Sequence, residues 1–280
     1  MTTLDTATGT ERDSPEDPHF DPEDTVMADR GTLWGSLGGA VSSNLGIVLM
    51  PLGIIALAVV LAIYVSGYDK DFTETDALAW DSLRPQFQRH VWLTAWSTLL
   101  VLFIAIPLGI GLTRPSMRWL AGPILAVANS GQSVPAYGLL VVFGGWLGAD
   151  PSTVVYALVV FATLPVLRNT MVGLDQVDRA TIEAGRGMGM SKGLVLWKIE
   201  LPLAVPVILA GVRTALIINV GTAALAFLIG GGGLGETINT GLKLGRDLVT
   251  FTGAAIVALV ALTVDWLASV AEKFLRPRGI

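Results

Sequence analysis

The sequence predicts an all-α membrane protein of about six transmembrane helices, with a range of five to seven. Three observations carry this. Hydrophobic residues make up 52% of the chain and charged residues only 15%, against roughly 25% charged in an ordinary soluble domain. Mean hydropathy is +0.64. Six apolar stretches also follow one another along the chain, and a helix needs about 20 such residues to cross the hydrocarbon core.

The stretches are taken in order. Residues 47–66 and 91–112 contain no charged side chain. Residues 119–147 are equally uncharged but are interrupted by Gly131, Pro135 and Gly144-Gly145. This reads as one bent span with a short re-entrant or surface end. Residues 153–167 are short, and Arg168 can snorkel to the interface at their end. Residues 203–229 and 248–271 complete the set. If the first stretch were only interfacial, five spans would remain; its lack of charge argues against that.

Lys and Arg set the orientation, because they concentrate on the cytoplasmic side. With the N-terminus inside, Arg114, Arg118, Arg168, Arg186, Lys192 and Lys198 are cytoplasmic, whereas Lys70, Arg84, Arg89, Lys243 and Arg246 lie outside. Both termini are then cytoplasmic, and the chain is expected to be a multi-pass protein of a cell membrane.

Composition removes several function classes. The net charge of −5 comes from the first 30 residues, which hold nine acids and two bases. That acidic, Pro-containing segment (Ser14-Pro15-Glu16-Asp17-Pro18) reads as a disordered tail. The remainder has no strong basic field, so nucleic acid is not an expected partner. With no cysteine and two distant histidines, His19 and His90, disulfides and thiol catalysis are excluded and a metal site is not expected. No catalytic residue is assigned, since the spans lack a paired carboxylate, a His cluster or an activated nucleophile.

The segment between the fourth and fifth spans is the most specific part of the chain. Residues 178–190 can form a short amphipathic helix, with Ile182, Arg186 and Met190 at four-residue spacing on one face. Gly185, Gly187 and Gly189 carry little bulk, so another surface can approach. Pro202 and Pro206 mark the start of the next span, where a missing N–H costs least.

Glu183-Ala184-Gly185-Arg186-Gly187-Met188-Gly189, followed by Ile199-Glu200-Leu201-Pro202, resembles the cytoplasmic loop of permease subunits of binding-protein-dependent ABC importers. That loop runs EAA, three residues, G, nine residues, then I-x-L-P; Gly185 stands where the family has its second Ala. Residues 200–215 (Glu200-Leu201-Pro202 to Arg213-Thr214-Ala215), 230–236 (Gly230-Gly231-Gly232-Gly233-Leu234-Gly235-Glu236) and 164–170 are similar to the osmoprotectant branch, which imports glycine betaine, carnitine and choline. The resemblance covers residues 91–266. It implies an ABC importer permease fold in which Glu183, Ala184, Gly185, Arg186, Met188, Gly189 and Met190 form the coupling element. It also implies two ATPase subunits on other chains that bind ATP-Mg, a second permease subunit, a separate substrate-binding protein, and no cofactor in this chain. Four regions follow: a tail over 1–30, a first helix and outer loop over 31–90, a permease core over 91–271 with its coupling loop at 175–202, and a C-terminus over 272–280.

Asn129, Gln132, Ser133 and Tyr137 place polar groups in the third span, and Asn219 and Thr222 do so in the fifth. Such groups face the bundle interior or a wet cavity. They either line a solute route or form interhelical hydrogen bonds; the sequence leaves both open. Tyr137, Phe143 and Trp146 could face a quaternary ammonium or anchor the interface. The glycine run at 230–233 lacks the Gly-Lys-Ser/Thr that completes a phosphate cradle, so a tight turn is expected there. Arg213 and Asp265 are ionisable groups within spans at similar depths from the cytoplasmic side. They either pair across the fifth and sixth spans or snorkel separately.

Overall fold

The computed structural model describes residues 47–275. The expected tail over 1–30 and residues 276–280 lie outside the described residues. Helix α1 is Ile47–Gly67. A short helix α2 (Phe72–Ala77) precedes α3 (Trp80–Leu112), and a 3-10 turn (Arg118–Leu120) leads into α4 (Ala121–Ser133) and α5 (Ala136–Leu147). Then come α6 (Pro151–Asp175), α7 (Arg179–Gly187), α8 (Lys192–Val195), a π-helical turn (Leu196–Glu200) and α9 (Leu201–Ala223). A 3-10 turn (Ala226–Ile229), α10 (Gly235–Leu244) and α11 (Asp247–Leu275) complete the described chain. Five helices are long and apolar enough to cross a membrane, and the bent pair α4–α5 makes a sixth crossing if it is one span.

The bend has a local cause. Val134 is extended because it precedes Pro135, whose ring crowds the α region of its neighbour. The helix stops there and restarts at a 100° angle. The fourth span is longer than the apolar stretch suggested. Asp150 accepts the Ser152 N–H at 2.5 Å and Pro151 occupies the first turn, so α6 starts from a strong cap. Hydrogen bonds from Ser152 hold the Asp150 carboxyl below the usual carboxylate range. Helix α3 likewise begins before residue 91, taking in the polar turns from Trp80. His90, expected at a helix entrance, is fully buried within it.

Helix α6 is the centre, with α3 and α9 packed on it. Small residues permit the close approach that drives helix association in lipid. A Cβ on Gly109 of α3 would lie 2.8 Å from Thr170, and one on Gly211 of α9 would lie 2.8 Å from the Pro165 carbonyl. Val101, Ala105, Leu112, Ala162, Val166, Leu167 and Ala215 fill one core cluster between these helices. A second, nearer the opposite end, contains Leu93, Leu140, Val154, Leu158 and Ala223.

Prolines within apolar helices free a carbonyl four residues back. In two cases a side chain of another helix fills it. The Phe161 carbonyl, freed by Pro165, accepts Gln132 Nε2 at 2.8 Å. The Ile47 carbonyl, freed by Pro51, accepts Trp266 Nε1 at 2.9 Å. The second bond holds α1 against α11, with Tyr64 edge-on to Phe251 at 5.7 Å further along. At the same end as that aromatic pair, a capping box starts α2: Glu74 N–H donates to Asp71 Oδ1 at 2.8 Å and Asp71 N–H to Glu74 Oε2 at 3.1 Å. Arg246 Nη2 reaches Asp71 Oδ2 at 2.5 Å.

Candidate functional site

The segment from Asp178 to Glu200 folds as a short helix pressed against a wide turn. Asp178 caps α7 by accepting the Ala180 N–H at 3.1 Å. The other end closes as a Schellman motif, with Met190 N–H to the Gly185 carbonyl at 3.2 Å and Gly189 N–H to the Arg186 carbonyl at 3.0 Å. Gly189 sits at φ +85°, a left-handed conformation that glycine adopts without penalty. The helix is therefore shorter than residues 178–190: Met188 caps it and Met190 lies past it.

The residues expected to form the coupling element divide between two faces. Gly185 is buried, and a Cβ there would approach Ile199 Cδ1 at 2.5 Å and Val195 Cγ2 at 3.6 Å. Its missing side chain serves packing inside the chain. Glu183, Ala184, Arg186, Gly187, Met188 and Gly189 face outward, and Met188 is 76% exposed. Nothing lies within 4 Å of a Cβ built on Gly187. An unpartnered, small-residue face thus surrounds one exposed methionine.

Behind this helix lies an ion pair that the loop pattern does not mark. Glu200 ends the π-helical turn and is nearly buried, its side chain 8% exposed. Arg114, just past the end of α3, grips it with two bonds: Nη1 to Oε1 at 3.2 Å and Nη2 to Oε2 at 2.5 Å. Arg114 Nε also donates to the Ile110 carbonyl at 3.3 Å. Ile182, Arg186, Lys192, Leu196 and the pair line a cleft of about 400 Å³. The sequence signal was available: a carboxylate at the start of one apolar run and a guanidinium at the end of another, at the same level of the bundle.

The six polar residues of the third and fifth spans do not form one set. Gln132 fills the Phe161 carbonyl. Asn219 is fully buried and donates Nδ2 to Thr98 Oγ1 of α3 at 3.0 Å. Asn129, Ser133 and Tyr137 are exposed on α4 and at the start of α5; the Ser133 hydroxyl donates to the Asn129 carbonyl at 3.0 Å, and Tyr137 is 58% exposed. Thr222 is half-buried. Phe143 packs on the core cluster around Leu140, whereas Trp146 is 86% exposed.

Arg213 of α9 and Asp265 of α11 meet. Arg213 Nε donates to Asp265 Oδ1 and Nη2 to Oδ2, the latter at 2.7 Å. The glycine run forms a turn with positive φ at Gly230, Gly232 and Gly233. A Cβ on Gly231 would strike Val154 Cγ2 at 2.5 Å, so close packing requires glycine there. Among the described residues there is no group of three or more metal-ligating side chains.

Residues 105–277 match the family described as binding-protein-dependent transport system inner membrane components. The chain belongs to this family. Over 191 residues it is 39% identical to the choline transport system permease protein OpuBB of Bacillus subtilis, covering 68% of this chain and 87% of the relative. It is 39% identical over 193 residues to the carnitine transport permease protein OpuCD of Listeria monocytogenes, covering 69% of this chain and 86% of that one. Its fold is similar to that of a chain of the MetNI methionine ABC transporter solved in inward-facing conformations, with a TM-score of 0.61 at 23% identity, covering 70% of this chain and 96% of the other. The permease fold expected from the sequence is the fold observed. The chain is a multi-pass membrane permease of this transport family, and α1 precedes the segment that the family match covers.

Proposed function

We propose that this chain is the transmembrane subunit of an ATP-driven ABC importer for a small osmoprotectant such as glycine betaine, carnitine or choline. The observation that carries the solute class is the 39% identity to permeases of choline and carnitine transport across about two thirds of the chain. In this reading two ATPase subunits on separate chains bind ATP-Mg and dock on the open face of α7. A second permease subunit completes the pathway, and a substrate-binding protein delivers the solute from outside. Both termini and α7 are cytoplasmic, and the outer end carries α2 and α10.

The mechanism is alternating access. Closure of the ATPases moves the two α7 segments, and the spans rock around the pathway. Several features of α7 suit docking. Its inner face is fixed by Gly185 against Ile199, its ends are capped, and its outer face is made of Ala184, Gly187 and Met188. Asn129, Ser133 and Tyr137, exposed near the bend between α4 and α5, are the better candidates for facing solute or the second permease subunit. Gln132 and Asn219 already serve as interhelical bonds.

The test is uptake. The chain would be purified with the chains that accompany it and reconstituted with ATP enclosed on the α7 side. Labelled glycine betaine, carnitine and choline should accumulate in an ATP-dependent manner. Accumulation of an amino acid instead would replace the solute class. ATP hydrolysis without accumulation of any solute would favour a membrane anchor for an ATPase.

A further inference from the structure

Helix α7 touches the body of the chain through few contacts. Gly185 lies on Ile199 and Val195, and Ile199 belongs to the π-helical turn Leu196–Glu200. Helix α9 continues this turn covalently and must follow any movement of it. Helix α3 has no such connection: Arg114 and Glu200 are 86 residues apart in sequence. We infer that the Arg114–Glu200 pair carries movement of α7 into α3, making Glu200 and Arg114 positioning residues for the coupling of ATP hydrolysis to transport. This rests on the proposed reading of α7 as the ATPase-docking element.

The geometry suits that task. A bidentate guanidinium–carboxylate contact fixes distance and orientation together, whereas an apolar contact can slide. Arg114 is held at its other side by the Ile110 carbonyl at 3.3 Å, so the guanidinium moves with the end of α3. Glu200 is almost shielded from water, with its side chain 8% exposed. Losing its partner leaves a buried charge, so the pair resists separation. A π-helical turn is a rare, single-turn distortion that recurs at functional sites. Here it sets Ile199 toward α7 and Glu200 toward Arg114 in consecutive positions.

Helix α3 then carries the displacement a long way. Its 33 residues span about 50 Å at 1.5 Å per residue. Near its far end, Gln86 Oε1 accepts both the Thr237 N–H at 3.1 Å and the Thr237 hydroxyl at 2.6 Å, tying α3 to α10. Movement of α7 thereby reaches both ends of the bundle. Arg186 and Lys192 line the same cleft as the pair, and Arg114 is the cation bonded to the Glu200 carboxylate. Neutralising Glu200 leaves that guanidinium without its carboxylate and removes the bidentate tie between α3 and the turn.

The test measures solute accumulated per ATP hydrolysed by the complete transporter in proteoliposomes. Glu200→Gln and Arg114→Gln should assemble and hydrolyse ATP yet move roughly tenfold less solute per ATP, a typical size for coupling between sites. Glu200→Asp keeps the charge but shortens the reach, and should give an intermediate ratio; it decides the matter if the neutral variants fail to assemble. The exchange Arg114→Glu with Glu200→Arg should recover part of the ratio. A merely structural pair lowers uptake and hydrolysis together, leaving the ratio at its wild-type value, and that result would overturn the inference. So would an unchanged ratio in Glu200→Asp, or an exchanged pair no better than the single variants. A wild-type complex that hydrolyses ATP but takes up none of the three osmoprotectants would instead sink the proposed function. The pair would then be judged on hydrolysis stimulated by the binding protein.

Discussion

The Arg213 guanidinium spans both oxygens of Asp265, joining α9 to α11 within the apolar part of the bundle. The Asp265 side chain is 14% exposed and that of Arg213 39%. An unpartnered charge in this setting costs on the order of 3 kcal/mol. Asp265→Ala should therefore lower the melting temperature in detergent by much more than Ser269→Ala one turn away. The exchange Arg213→Asp with Asp265→Arg should regain part of the loss. Additive single-variant effects in a double-mutant cycle would show that the two groups do not couple.

Gln132 offers a test that separates structure from solute handling. Its amide fills the carbonyl that Pro165 frees, so Gln132→Leu should cost about 1 kcal/mol or more in an apolar setting. Pro165→Ala gives the Phe161 carbonyl a backbone donor of its own. Combined with Gln132→Leu, it should restore both thermal stability and uptake. If stability returns while uptake stays low, Gln132 contacts the solute after all.

The space over Gly185 is occupied by the Ile199 Cδ1 atom. The loop pattern has Ala here and the isoleucine at position 199 as well, so the two side chains can be packed together. Gly185→Ala should be tolerated once Ile199 turns, and Gly185→Ala with Ile199→Val should pack as well as the wild type. Gly185→Leu should detach α7 and abolish ATPase stimulation. Equal thermal stability and stimulation in Gly185→Leu would show that α7 does not bear on the turn.

Docking is best probed at Gly187, because Gly189 is committed to the helix stop. Any side chain at φ +85° is strained by about 1 kcal/mol, so Gly189→Trp would mix a folding defect with a docking defect. Gly187→Trp meets open space in this chain. It should leave insertion and melting temperature unchanged while removing hydrolysis stimulated by the binding protein. Normal stimulation in this variant would mean the ATPase docks elsewhere.

Much of the architecture was legible because the bilayer makes it a local property. Apolar length marks the spans, Pro135 marks the break between α4 and α5, and a contiguous pattern marks the loop containing Glu183. Arg213 and Asp265 stood out because charge is rare in such segments, and their depths could be counted from the ends. The rest depended on facts spread across helices. The early start of α3 needed the polar turns from Trp80 to be helical, which no apolar count reveals. Pro135 marks where the helix breaks, but the 100° angle between α4 and α5 is not a property that a residue count reveals. Gln132 and Asn219 looked like the other polar residues until their partners, the Phe161 carbonyl and Thr98, were known. Gly185 and Gly187 are two residues apart in one motif, yet one faces inward and the other outward.

The bond from Trp266 to the Ile47 carbonyl joins positions 219 residues apart. During synthesis α1 emerges before α11, carrying an acceptor that Pro51 has stripped of its own donor. The donor arrives only with α11, the last helix of the described chain. Until then that carbonyl, at the start of its helix, is left to interfacial water. A chain cut short before residue 266 never supplies the indole N–H. Helix α1 is thus pinned to α11 by this bond only after almost all of the described chain has been made.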